Sequence, residues 1–147
     1  MECILLMGVQ ASGKSTFFKQ RFADTHVRVN LDMLKTRHRE LLLLQACIDG
    51  KTRFVVDNTN ATRDARSRYI SRATAAGFAV RGYYFQSQVA ACLARNQARE
   101  AAVPASAIRG TRRRLELPSP EEGFRQLFYV RAADGAFLVE EWCDEVR

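Results

Sequence analysis

The amino-acid sequence predicts an α/β fold, a parallel sheet with helices on both faces, from three observations. Apolar strand-like runs and helix-like segments alternate four times along the 147 residues, a pattern that favours parallel strands joined by helical crossovers. The first run, residues 3–7, is continuously apolar, as is typical of a strand buried on both faces. A glycine-bracketed turn follows this run directly and leads into a helix-like segment. We expect one domain over residues 1–147, since no linker or repeat interrupts the pattern.

The other elements follow from apolar spacing, caps and breakers. Short apolar runs predict three more strands, at residues 27–29, 54–56 and 78–85. Apolar residues at helical spacing predict helices at residues 15–22, 31–48, 62–76, 87–100 and 107–117. Thr62 and Ser87 are the expected N-terminal caps of the third and fourth of these helices. Two final strands are expected on either side of the Asp134-Gly135 turn, at residues 126–130 and 136–139.

Composition limits the class of protein. The chain is 47% hydrophobic and 27% charged, proportions that are typical of a globular rather than a disordered protein. The apolar runs are too short to cross a bilayer and the N-terminus lacks the features of a secretory signal, so we expect no membrane partner and a cytoplasmic location. The four cysteines are scattered without metal-binding spacing, which argues against a zinc site and against a disulfide framework.

The charge balance favours an acidic partner. A net charge of +7 and a pI near 9.7 raise the local concentration of polyanions such as nucleic acid. Only four of the 23 basic residues are lysines, and arginine is the side chain suited to bidentate phosphate contacts. Solvation of the surface is the alternative explanation for any single arginine.

The turn after the first strand carries the phosphate-loop (P-loop) pattern G-x-x-x-x-G-K-[ST], at residues 8–15. Glycines let backbone N–H groups turn inward around a phosphate, and the N-terminus of the next helix adds positive potential. Lys14 is expected to reach the outer phosphates of ATP or another nucleoside triphosphate, and Ser15 to ligate Mg²⁺. The nucleotide-binding residues predicted in this loop are Gly8, Gln10, Ala11, Ser12, Gly13, Lys14, Ser15 and Thr16. The pattern alone does not distinguish a kinase from a hydrolase or a switch protein.

Polar residues follow the second and third predicted strands, whose carboxyl ends face the same crevice as the phosphate loop. Asp32 is a candidate general base for an attacking hydroxyl, and Lys35, one helical turn later, is a candidate ligand for a phosphate of the acceptor. Asp57 stands where P-loop proteins commonly place an acid toward Mg²⁺. The candidates for substrate contact that follow it are Asn58, Thr59 and Asn60. Helix capping by Asn30 and Asp32, and polar turns at residues 58–60, are the structural alternatives.

Arginines form three further groups. Arg95 and Arg99 share one face of a predicted helix and are candidates for a cationic lid over the triphosphate, within a lid region of about residues 92–117. The triplet at residues 112–114 is a candidate patch for the backbone of a nucleic acid. A third group lies at helical spacing and consists of Arg63, Arg66 and Arg72. A solvated helix surface is the alternative explanation for all three groups.

Taken in order, these motifs resemble the kinase domain of the polynucleotide 5′-hydroxyl kinases, most closely the kinase half of the DNA-repair polynucleotide kinase/phosphatases. The resemblance extends from residue 4 to about residue 130 and includes the run DNTNATRDARSRYI. Its five motifs are G-x-x-x-x-G-K-S, Asn30-Leu31-Asp32, Asp57-Asn58-Thr59-Asn60, Arg95-Asn96-Gln97-Ala98-Arg99 and Pro118-Ser119-Pro120-Glu121-Glu122-Gly123-Phe124.

The resemblance implies a P-loop kinase fold and transfer of the γ-phosphate of ATP, or of another nucleoside triphosphate, to the 5′-hydroxyl of DNA or RNA. It implies that Asp32 is the general base and that Arg95 and Arg99 stabilise charge on the transferring phosphoryl group. It also implies that Asp57 acts near the metal and that residues 58–60 shape the floor of the acceptor site.

The sequence departs from this family at two points. Lys35 stands where phage members use an arginine to hold the 3′ phosphate of the acceptor, and lysine lacks the bidentate fork. The D-x-D-x-T motif of the family's phosphatase domain is absent. We therefore expect a stand-alone kinase domain that relies on separate phosphatase or ligase proteins.

Two other functions fit the same residues. The loop, the aspartate and the lid would equally serve a kinase that acts on a nucleoside, sugar or antibiotic hydroxyl. A regulator that binds a nucleotide or a nucleic acid without catalysis is the other, although the retained Lys14, Ser15, Asp32 and Arg99 count against it.

Overall fold

Six strands form one sheet in the computed structural model, which describes residues 1–100 and 102–144. The strands are β1 (Glu2–Met7), β2 (Val27–Val29), β3 (Phe54–Asp57), β4 (Ala79–Phe85), β5 (Gln126–Ala133) and β6 (Ala136–Glu141). Their order is β2-β3-β1-β4-β5-β6, with every neighbouring pair parallel except β5 and β6. The predicted α/β class is therefore confirmed, and the predicted parallel sheet is parallel at every pair but this one. Position 101, in the predicted lid region, and positions 145–147 of the predicted domain lie outside the described residues.

Helices cover both faces of the sheet. They are α1 (Lys14–Arg21), α2 (Leu31–Leu34), α3 (Arg37–Asp49), α4 (Arg63–Ala75), α5 (Val89–Gln97) and α6 (Ala105–Arg114), with a 3₁₀ turn at Pro120–Glu122. Thr62 caps α4 as predicted, because its side chain accepts a hydrogen bond from the Ala65 N–H at 3.1 Å. Within residues 1–100 and 102–144, no helix is both long enough and apolar enough to span a bilayer.

Alternate residues of β1 supply two separate cores. Leu5 and Met7 pack with residues of α3 and α4 on one face of the sheet. Ile4 and Leu6 pack on the other face with the aromatic side chains of α1. All four side chains are at most 1% exposed, which explains why the run shows no polar alternation.

The helix predicted over residues 31–48 is wrong, because the structure contains two helices there. Lys35 adopts a left-handed φ of 75°, which ends α2. Thr36 then caps α3 by accepting from the Arg39 N–H at 3.2 Å. The apolar spacing continues across this break, so periodicity alone does not reveal it.

The cap predicted at Ser87 is also wrong. Its hydroxyl accepts a hydrogen bond from the Val9 N–H at 3.1 Å and donates one to the Phe85 carbonyl at 2.8 Å. Helix α5 instead begins at Val89, after Gln88, without a side-chain cap. Ser87 therefore ties the end of β4 to the phosphate loop rather than starting a helix.

The two C-terminal strands form the predicted hairpin. Asp134 and Gly135 both have positive φ, of 50° and 76°, as a two-residue type I′ turn requires. The hairpin places β6 antiparallel at the edge of the sheet, beside β5.

Candidate active site

A cavity of about 700 Å³ opens where β1, β2 and β3 end. Residues of the phosphate loop, the segment after β2 and the segment after β3 line it together. Hydrogen bonds tie the ends of β1 and β3 to each other: the Gly8 N–H donates to the Thr59 carbonyl at 2.9 Å, and the Asn60 side chain donates to the Leu6 carbonyl at 2.7 Å. The sheet topology thus brings the predicted site segments to one crevice, as expected for parallel strands.

The phosphate loop encloses the Lys14 ammonium group. Its Nζ donates to the carbonyls of Gly8 and Val9, both at 2.8 Å, and the residue is 8% exposed. Gly13, the residue before α1, has a φ of 106°, a left-handed conformation that glycine adopts without strain. Burial lowers the pKa of Lys14 to about 8, against the opposing effect of the Asp57 carboxylate.

This lowered pKa predicts proton uptake on nucleotide binding. Above pH 8 much of Lys14 is neutral, and phosphate oxygens would favour its charged form, so binding at about pH 9 should take up close to one proton. Calorimetric titration in two buffers of different ionisation enthalpy measures the uptake. The exposed Lys19, on the same helix, is the control: Lys19→Met should leave the uptake unchanged. Equal proton exchange at about pH 6 and pH 9 would contradict the prediction.

Ser15 and Asp57 form a pair of oxygen donors beside the loop. The Ser15 hydroxyl donates to Asp57 Oδ2 at 3.0 Å, and Asp57 is 2% exposed. Hydroxyl and carboxylate oxygens are the donors that Mg²⁺ prefers, and it commonly completes its shell with nucleotide phosphates and water. No cluster of three or more His, Cys, Asp or Glu side chains suited to a metal occurs among the described residues. The donor set therefore fits a metal that completes its shell with nucleotide phosphates and water.

Arg28 bonds to both Ser15 and Asp57, a contact that the sequence motifs did not reveal. Its Nε and Nη2 atoms donate to Asp57 Oδ2 at 3.0 and 2.7 Å, and Nη2 also donates to Ser15 Oγ at 3.0 Å. The guanidinium lies 5.5 Å from the centre of the Phe18 ring. Alternation within β2 points Arg28 away from the buried Val29, but its partners become apparent only once β2 is placed beside β3.

Asp32 lies in the first turn of α2 and lines the cavity. Asn30 caps this helix by accepting from the Met33 N–H at 2.9 Å, and it donates to the Asp57 carbonyl at 2.5 Å. Capping thus explains Asn30 and not Asp32, whose carboxylate is exposed and has no hydrogen bond within the described part of the chain. Lys35 does not line the cavity, whereas Arg37 does.

The segment after β3 lines the cavity, but its amides are committed to the protein. Asn58 accepts from the Leu31 N–H at 2.9 Å and donates to Glu40 and Tyr69, at 3.1 and 3.2 Å. Tyr69 in turn donates to the buried Glu40 at 2.9 Å. Burial, followed by the Glu40 charge, raises the pKa of Tyr69 to about 12. This network fixes the start of α2, and with it the backbone that carries Asp32.

The alternative explanation of a solvated surface does not hold for Arg66 on α4, which is fully buried. Its guanidinium makes a bidentate pair with Glu122, at 2.8 and 3.2 Å, and donates to the carbonyls of Asn60 and Glu116. Arg63 and Arg72 are exposed, in agreement with a solvated surface. Arg66 therefore fastens the segment after β3 to the 3₁₀ turn at Pro120–Glu122.

Arginines from the helices around the cavity also line it. Arg95 and Arg99 both do so, and Arg95 donates to the Ala11 carbonyl at 3.1 Å. Asn96, between them, exchanges hydrogen bonds with the Val103 backbone at 2.7 and 3.0 Å, which holds the connection to α6. Helix α5 ends at Gln97 rather than near residue 100, so Arg99 lies just beyond it. Of the 112–114 triplet, Arg114 alone is among the lining residues.

Two arginines that line the cavity, Arg37 and Arg68, were not among the site residues predicted from the sequence. Arg68 shares a face of α4 with Ala65 and Tyr69, which also line the cavity. The spacing of Ala65, Arg68 and Tyr69 was visible in the sequence. Only the cavity distinguishes this face from the neighbouring one that carries Arg63.

A family model described as an AAA domain matches residues 3–118 of the chain. The chain is also 29% identical, over 129 residues, to a bifunctional polynucleotide phosphatase/kinase from Schizosaccharomyces pombe. The match covers 84% of this chain and 32% of that protein, so the chain spans about a third of its relative's length.

Solved structures of low sequence identity share the fold. A gluconokinase from Sinorhizobium meliloti matches with a TM-score of 0.64 and 20% identity, over 90% of this chain and 83% of its own. A sugar kinase from Janibacter sp. has a TM-score of 0.68 and 18% identity, over 89% and 85% of the two chains. Kti12 from Chaetomium thermophilum, in complex with ADP-AlF3, has a TM-score of 0.65 and 17% identity, over 90% of each chain.

Proposed function

Because the chain belongs to the AAA-domain family and has the fold of P-loop kinases, we propose that it transfers the γ-phosphate of a nucleoside triphosphate to the 5′-hydroxyl of DNA or RNA. ATP is the donor we test first. Mg²⁺ is the cofactor, and the 5′ ends of polynucleotides are the partners. The cytoplasmic location expected from the sequence is part of the same proposal.

One observation carries this proposal: a single cavity is lined by the phosphate loop, by the Asp32 carboxylate and by three arginines outside the predicted lid pair. Those arginines come from three different helices and are Arg37, Arg68 and Arg114. A neutral alcohol does not require them, whereas a strand terminus brings phosphates beside its reacting hydroxyl. The S. pombe relative, whose name includes polynucleotide kinase activity, supports the same acceptor.

The chemistry assigns one role to each group. Asp32 accepts the proton of the 5′-hydroxyl as its oxygen forms a bond to the γ-phosphorus, and the bond to the bridging oxygen of the nucleoside diphosphate breaks. Lys14, Arg95 and Arg99 offset the charge on the transferring phosphoryl group. When bound at Ser15 and Asp57, Mg²⁺ supplies further charge neutralisation on the phosphates. Asn58 and its partners hold the backbone that carries Asp32.

A kinase for a small-molecule hydroxyl is the second candidate, since the gluconokinase and the sugar kinase share the fold. Transfer from labelled ATP to a 5′-hydroxyl oligonucleotide, compared with transfer to free nucleosides, sugars and aminoglycosides, separates the two. We expect label at the 5′ end of the oligonucleotide. Labelling of the small molecules alone would overturn the proposal.

Arg68 provides a test of phosphate contact in the acceptor site. Oligonucleotide affinity should fall with salt, and Arg68→Ala should reduce the slope of log K against log[salt] by about 0.7, the value for one contact with a single strand. Fluorescence anisotropy with a labelled oligonucleotide over a salt series measures this slope. Arg63→Ala, on the exposed surface of the same helix, is the matched control. An unchanged slope in Arg68→Ala would rule out the contact.

A further inference from the structure

We propose that Arg28 is a built-in counter-cation of the metal site, which holds Asp57 and Ser15 until Mg²⁺ and nucleotide displace it. Arg28 would thereby set the Mg²⁺ concentration at which the protein takes up nucleotide. This inference rests on the nucleotide and metal part of the proposed function and not on the identity of the acceptor.

The contacts place the guanidinium on the same two oxygens that fit the metal. Arg28 donates twice to Asp57 Oδ2, at 2.7 and 3.0 Å, and once to Ser15 Oγ, at 3.0 Å. A divalent ion on those oxygens would stand within a few ångströms of the guanidinium charge. Like charges at that distance disfavour each other strongly, particularly beside a buried carboxylate.

Burial indicates which member of the pair moves. The Asp57 side chain is 2% exposed and belongs to β3, so its carboxylate is fixed in the sheet. The Arg28 side chain is 25% exposed. Among the described residues, Asp57 is its one ion-pair partner, so no other carboxylate retains the guanidinium once the metal neutralises Asp57.

The burial of Asp57 also gives Arg28 a role in the protein that has no bound metal or nucleotide. A buried carboxylate that loses its cation keeps the cost of desolvation with no compensating charge. Removing the guanidinium should therefore destabilise the metal-free protein. Added Mg²⁺ should restore that loss, because the ion supplies the missing charge at the same oxygens.

The test compares Arg28→Gln and Arg28→Lys with Arg81→Gln. Arg81 is the matched control because it also lies on a strand, has a side chain of similar exposure and pairs with a carboxylate, that of Glu2, which is more exposed than Asp57 and lies outside the cavity. Two measurements are made on each protein: the thermal unfolding midpoint with EDTA or with Mg²⁺ alone, and binding of fluorescent mant-ADP as a function of Mg²⁺ concentration.

In Arg28→Gln we expect the Mg²⁺ concentration for half-maximal mant-ADP binding to fall about tenfold, since one nearby like charge shifts cation binding by at least that factor. Its unfolding midpoint should lie below wild type in EDTA and approach it in Mg²⁺. Arg28→Lys, which keeps the charge without the bidentate fork, should lie between wild type and Arg28→Gln in both measurements. Arg81→Gln should shift the midpoint equally in both conditions and leave the Mg²⁺ requirement unchanged.

An unchanged or higher Mg²⁺ requirement in Arg28→Gln would overturn the inference, because the arginine would then assist the metal or be a fixed structural partner. If no protein binds mant-ADP at any Mg²⁺ concentration, the proposed nucleotide site itself fails. The midpoints measured with Mg²⁺ alone still decide whether Arg28 and the ion compete. If Mg²⁺ raises the unfolding midpoint of Arg28→Gln no more than it raises that of wild type, the inference is overturned in that case.

Discussion

Asp32→Asn is expected to lower kcat for phosphoryl transfer about 10²- to 10⁴-fold, the usual contribution of a positioned general base. Asparagine keeps the shape of the side chain but does not accept the proton of the attacking hydroxyl. Asp32 makes no hydrogen bond within the described residues, and Asn30 caps its helix, so folding should be unaffected. Nucleotide affinity should stay near that of wild type, because the phosphate loop is untouched.

Steady-state transfer from labelled ATP, together with mant-ADP binding, measures both halves of this prediction. Asp24→Asn is the control, since Asp24 is exposed and lies outside the cavity lining. Equal kcat in Asp32→Asn and wild type would remove Asp32 as the base. A parallel loss of transfer and of nucleotide binding would instead indicate that the substitution disturbs the nucleotide site.

Arg66→Ala should destabilise the fold by about 3 to 5 kcal/mol, the typical cost of removing one partner from a buried ion pair. The guanidinium is fully buried and bonds to Glu122 and to two carbonyls, so its loss leaves several polar groups without partners. Glu122 is left as a nearly buried carboxylate with no cation. The segment after β3 would lose its attachment to the 3₁₀ turn at Pro120–Glu122 at the same time.

Urea unfolding of Arg66→Ala and of Arg63→Ala measures this effect within one helix. Arg63 is exposed, so its replacement should change the free energy of unfolding by no more than about 0.5 kcal/mol. A loss below about 1 kcal/mol in Arg66→Ala would show that the pair contributes no more than a surface one does.

The features that the sequence predicted correctly depend on neighbours along the chain. The strand, turn and helix around the phosphate loop lie within 20 residues, and Thr62 caps a helix through a residue three positions later. The resemblance to polynucleotide kinases rests on such local motifs in order, and the S. pombe match confirms it. The sheet was predictable because each strand carried its own apolar pattern.

The features that the sequence did not predict depend on partners far along the chain or on one backbone angle. Arg66 pairs with Glu122, 56 positions away, and Arg28 pairs with Asp57, 29 positions away. Ser87 bonds to Val9, and no local pattern distinguishes this from a helix cap. The left-handed φ of Lys35 breaks a helix at a residue type that ordinarily continues one.

The structure of a ternary complex with Mg²⁺, ADP and a 5′-hydroxyl oligonucleotide tests the central claim most directly. We predict the 5′ oxygen within about 2.6 to 3.2 Å of the Asp32 carboxylate, the range for direct proton transfer, with strand phosphates against Arg37, Arg68 or Arg114. A 5′ end bound outside this cavity, or an Asp32 carboxylate turned away from it with the nucleotide in place, would contradict the account.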